Sequence, residues 1–138
     1  MSLLGIELSD AGILAAAGDP PRLLETDGGE TSSPGFALSL NDGVIMGREA
    51  LSRFRLNPRS STNRFWDELG TEPIRQPGLE GKTCAELAYR HLGRLWDTLR
   101  HAAGEVVIAV PGFYTRHQLG ILLGIADELS MPVKGFVP

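Results

Sequence analysis

The sequence predicts an α/β fold in which a five-stranded mixed sheet carries flanking helices and an inserted hairpin-helix segment. Three observations carry that prediction. The apolar run 106–110 is rich in β-branched residues and too short for a helix, so it reads as a strand buried on both faces and stopped by Pro111. Thr115, with Gln118 three residues on, starts a helix through a capping box, and a strand that hands over to a helix within about four residues is the habit of α/β domains. The opening "LLGIELSDAGILAAAG" sets two strand-like runs on either side of a cluster of turn formers.

In chain order, residues 3–8 and 13–17 are strands, joined into a hairpin by Ser9-Asp10-Ala11-Gly12. The Asp19-Pro20-Pro21 turn leads to a third short strand at 23–25. The segment 26–35, "TDGGETSSPG", is dense in Gly, Ser and Thr and reads as a loop. Residues 36–40 and 44–46 flank Asn41-Asp42-Gly43, whose Asp-Gly pair is a strong hairpin signal. A helix over 48–56 follows, with Ala50, Leu51 and Phe54 at core-facing spacing, and Asn57-Pro58 ends it. From 59 to 82, Pro73, Pro77 and several glycines break any period and leave one short helix at 65–69. Thr83 and Glu86 then cap a helix of about five turns that ends near Gly104, with Leu87, Leu92, Leu95, Trp96 and Leu99 as its apolar stripe. The strand 106–110, a helix at 115–129 and a last strand at 133–137 complete the chain.

Three antiparallel strands followed by helix, strand, helix, strand, with right-handed crossovers, close into a mixed sheet with helices on its faces. The division expected is a single domain with a core of residues 1–27 and 83–138 and an insert of 28–82. This layout is that of the ribonuclease-H-like fold. Sugar kinases, actin, DnaK-type chaperones and several nucleases share it, so the fold does not choose a function.

Composition narrows the class. A net charge of −4 exerts no global pull toward nucleic acid or an anionic membrane, and neither is expected as a partner. No apolar run is long enough to cross a bilayer, residues 1–17 lack the basic start of a signal peptide, and the lone Cys84 excludes an internal disulfide, so a cytoplasmic protein is expected. The charge is uneven: 1–47 sums to −6, from Arg22 against seven acids, and 48–64 to +4, from five arginines against Glu49. The basic stretch reads as a solvated helix and loop. His91, His101 and His117 show no metal-ligand spacing and read as partly exposed helix residues. Cys84 reads as an inert helix residue, and Tyr89 and Trp96 as core or helix-face packing.

Four strings carry a likeness. Gly5-Ile6-Glu7-Leu8-Ser9-Asp10-Ala11 stands in register with Gly-Ile-Asp-Leu-Gly-Thr-Thr, and Ser33-Pro34-Gly35 is similar to a Pro-Ser motif entering a hairpin. "VIMGREALSRFRLNP" resembles Val-Gly-x-x-Ala followed by Asn-Pro, and "VVIAVPGFYTRHQ" resembles Val-Ile-Thr-Val-Pro-Ala-Tyr-Phe. These are motifs of the nucleotide-binding domain of DnaK-type, seventy-kilodalton heat-shock chaperones, and the chain resembles the first part of that domain along most of its length. The resemblance implies an actin-like ATPase lobe whose full-length parent takes ATP or ADP with magnesium. It places Glu7 where a carboxylate positions the metal indirectly, Ser9, Asp10, Ala11 and Gly12 on the phosphate loop, and Pro111 and Gly112 on the turn that floors the nucleotide cleft.

Departures from the family's pattern imply weak or absent ATP hydrolysis. Asp10 puts a negative charge where phosphate would sit, and like charges at about 4 Å cost about 1 kcal/mol in water and several at lower dielectric. Phe136, Val137 and Pro138 fall where the family has Asn-Glu-Pro, and valine cannot orient water. "TNRFWDELG" holds Arg64 but no lysine. With phosphate, water and charge all poorly placed, no catalytic residue is assigned and no tight nucleotide binding by this chain is expected.

The resemblance stops where the family's first lobe is only part built. The chain is therefore expected to be a piece of a longer protein, with Met1-Ser2-Leu3 a leader from cloning and the remaining half of the nucleotide-binding domain its first partner. A second reading is an interaction scaffold of the same superfamily that no longer binds nucleotide. It would dock client or partner proteins through Arg53, Arg55 and exposed Phe65 and Trp66, the plainer alternative for the two aromatics being packing under a loop. A nuclease reading fails because Pro111 and Gly112, not an acid, follow the strand 106–110.

Overall fold

In chain order the elements are β1 (Leu3–Ser9), β2 (Gly12–Ala17), β3 (Arg22–Leu23), β4 (Ser32–Pro34), β5 (Ala37–Leu40), β6 (Gly43–Met46), α1 (Gly47–Arg53), β7 (Ser61–Thr62), α2 (Cys84–Leu99), β8 (Glu105–Ala109), α3 (Arg116–Glu128) and β9 (Val133–Val137). This computed structural model describes residues 2–41, 43–76 and 78–138. Met1 of the expected leader, Asp42 of the Asp-Gly turn and Pro77 lie outside the described residues.

Alternation of large apolar residues with small or polar ones fixes one buried face of the opening hairpin. Leu4, Ile6 and Leu8 of β1 are buried, and their partners across the strand pair, Ala17, Ala15 and Ile13, lie on the same side. β8 adds Val106 and Ile108 in parallel register with Leu4 and Ile6, and β9 lies parallel beyond it. The main sheet therefore runs β3-β2-β1-β8-β9, mixed, with β4 also paired to β2, so it has six strands where five were expected, and β2 is antiparallel to every strand it pairs with. The α/β class and the mixed sheet expected from the sequence are present.

Both long helices pack on that one face. Leu87, Leu92, Leu95, Trp96 and Leu99 of α2 are buried as the stripe predicted, and Leu122, Ile125 and Ala126 of α3 join the same cluster. Thr115 caps α3 with a complete capping box, and the Thr83 hydroxyl accepts from the Glu86 amide at the start of α2.

The expectation of helices on both faces, with 106–110 buried on both sides, is corrected here. Two connections that step the same way across the sheet, from the β3 side through α2 to β8 and from β8 through α3 to β9, put their helices on one face when they share a hand. Val107 and Ala109 consequently face away from the helices and stay partly exposed.

The insert differs from its sequence reading in four places, one being the short strand β7, which pairs with β5 in a stretch expected to hold only a short helix. The expected loop 26–35 contains β4, which pairs with the start of β2 while β3 pairs with its end. Its serines hid it, because Ser33 is buried through hydrogen bonds rather than through an apolar side chain. The expected helix at 65–69 is a single turn, closed by the Glu68 amide on the Arg64 carbonyl. The expected helix 48–56 is α1 followed by a 3-10 turn, Phe54–Leu56. β5, β6 and β7 form a separate small sheet on which Phe54 packs against Phe36, ring centroids 5.3 Å apart. No helix among the described residues is long and apolar enough to cross a membrane.

Candidate functional site

Ligands of open α/β sheets gather at the carboxyl ends of the parallel strands, so the edge formed by the ends of β1 and β8 is the place to build a site. β1 ends in a two-residue turn, Asp10-Ala11, with Ser9 opposite Gly12 and the Ala11 amide bonded to the Ser9 hydroxyl at 3.2 Å. Asp10 and Ala11 are exposed. Gly12 is not free to receive a ligand. Its φ is +133°, and a Cβ there would stand 2.0 Å from the Ser33 carbonyl, so its missing side chain makes room for β4. Glu7 lies two residues before the turn, opposite Leu14 and Ala109, on the sheet face without helices, and is exposed.

Beside this turn sits the loop around Trp66. The Tyr114 hydroxyl donates to the Trp66 carbonyl, and the Gln118 amide donates to the carbonyls of Asp67 and Leu69 at 3.5 and 3.2 Å. The residues after β8 thus hold the loop, and Pro111 belongs to the turn whose carbonyl accepts from the Tyr114 amide. Burial pushes the Tyr114 phenol up, with Asp67 adding to it. Asp67 is itself raised, first by burial and then by the Asp10 carboxylate, and its Oδ1 has no hydrogen-bond partner. Arg64, the cation of this stretch, pairs with Glu68 on the surface at 3.7 Å. Phe136 and Val137 are strand residues of β9, in register with Ile108 and Ala109, not a turn.

Phe65 and Trp66 are not exposed anchors: both are buried, Trp66 to 1% exposure. They lie against His91, which also departs from its expected place. His91 sits on the apolar stripe of α2 and is fully buried, while His101 and His117 are exposed as expected. Trp66 Nε1, a donor only, reaches His91 Nδ1 at 2.9 Å, which requires Nδ1 to be unprotonated. The Nε2 proton is then donated to the Ser33 hydroxyl at 2.8 Å, and Ser33 donates to Asp27 Oδ2 at 2.7 Å. Asp27 Oδ2 also accepts from the Arg48 amide at 2.8 Å, and Oδ1 accepts from Arg94 at 3.1 Å. Burial lowers the His91 pKa to about 4, in keeping with a neutral ring.

Serine, histidine and aspartate thus meet, but in an order that excludes nucleophilic catalysis. A base must accept the serine proton and be oriented by the acid. Here the serine proton goes directly to the acid, and the histidine donates to the serine. Ser33 is moreover fully buried. This cluster joins α1, α2, β4 and the Trp66 loop. The sequence did hold a signal for it: position 91 falls between Leu87, Ala88, Leu92 and Leu95 on a stripe that is otherwise apolar.

Cys84 is half-buried, and burial, with Glu68, pushes its thiol up, which suits the inert residue expected. Among the described residues no three His, Cys, Asp or Glu side chains are grouped to hold a metal ion. No protein-family model matches the chain, and no curated protein matches it.

Proposed function

We propose that the chain is a lobe of a DnaK-like, actin-superfamily nucleotide-binding domain whose phosphate site is degenerate. It works in the cytoplasm with the remaining half of that domain, and alone it neither hydrolyses ATP nor binds ATP or ADP with magnesium tightly. The strand order β3-β2-β1-β8-β9 with β2 reversed supports the ribonuclease-H-like layout on which this reading stands.

The observation that carries the degenerate site is the β1–β2 turn. Asp10 is exposed at the turn and adds a negative charge to it, and Gly12 is closed off by β4. A phosphate brought there meets carboxylates in place of backbone amides. Calorimetric titration with magnesium-ATP tests this. The expected result is no saturable heat below about 1 mM nucleotide, and no phosphate release. Submillimolar affinity, or turnover lost in Glu7→Ala, overturns the degenerate site. The alternative reading, an interaction scaffold without nucleotide, gains support from the open sheet face and loses Phe65 and Trp66 as anchors.

A further inference from the structure

We draw no further inference here: the strongest candidate, the helix-free apolar face of the main sheet around Gly5, Ala16 and Ala109, carries nothing, because nothing in the structure shows what covers it.

Discussion

Acid should unfold this protein through His91. Burial holds the folded ring near a pKa of about 4, against an ordinary value of 6.5. Trp66 Nε1 occupies Nδ1 with a proton of its own, so protonation there would break a hydrogen bond at a fully buried ring. The sign follows from proton counting. Above pH 6.5 neither state holds the extra proton. Between 6.5 and 4 the unfolded chain takes it up while the folded chain does not, so stability is lost as pH falls through that window. At 1.36 kcal/mol per pH unit the loss is about 3 kcal/mol, a large part of the roughly 5–15 kcal/mol that holds a domain together. With a urea slope of about 1.5 kcal/mol/M, the denaturation midpoint should fall by about 2 M between pH 7 and pH 4. Urea titrations followed by tryptophan fluorescence at a series of pH values measure it. His91→Gln keeps a donor for Ser33 but strands the indole N–H, so it should cost about 1–3 kcal/mol at pH 7 and flatten the slope below pH 6.5. A wild-type midpoint that ignores pH between 6.5 and 4, or a slope unchanged in His91→Gln, refutes the reasoning.

Three further outcomes can be measured on the same instrument or a simpler one. Gly12→Ala should cost several kcal/mol in a thermal melt, because its Cβ would stand 2.0 Å from the Ser33 carbonyl, whereas Gly120→Ala, in an open helical position, should stabilise by about 0.5–1 kcal/mol. Thr115→Ala removes the acceptor of the Gln118 amide and should cost about 1 kcal/mol by urea denaturation; an unchanged midpoint would deny the cap any role. The Cys84 thiol, pushed up by burial and Glu68, should react with a disulfide reagent at pH 8 more slowly than a free cysteine peptide; equal rates would show it to be open to solvent.

The elements legible in the sequence are those whose signal is periodic or capped. The stripe of α2, the capping box of α3 and the alternation of the first hairpin each state a burial pattern in residue type alone. β4 and the Trp66 loop were not legible because their order comes from polar groups satisfied at a distance: Ser33 by Asp27 and His91, and the loop carbonyls by Tyr114 and Gln118. A serine-rich segment looks alike whether it is solvated or pinned. The basic stretch shows the converse. Arg53 and Arg64 form surface pairs with Glu49 and Glu68, as a solvated face predicts, but Arg48 turns inward and donates to the Ser32 carbonyl. The bare side of the sheet was hidden for a different reason: Val107 and Ala109 are as apolar as their buried neighbours, and residue type does not distinguish a covered face from an uncovered one.

Asp27, His91 and Arg94 belong to the segments on either side of 28–82, while Ser33, Met46, Arg48 and Trp66 lie within it, and nearly every bond of the buried cluster crosses that seam. Excising 28–82 and splicing in a short linker would leave the Asp27 carboxylate with Arg94 alone of its donors, and the His91 imidazole without the partner of either nitrogen. The excised piece would in turn lose the acceptors that moor its first strand. Protein engineers should therefore treat the two as welded: neither half is a transplantable cassette, and both should melt in one step.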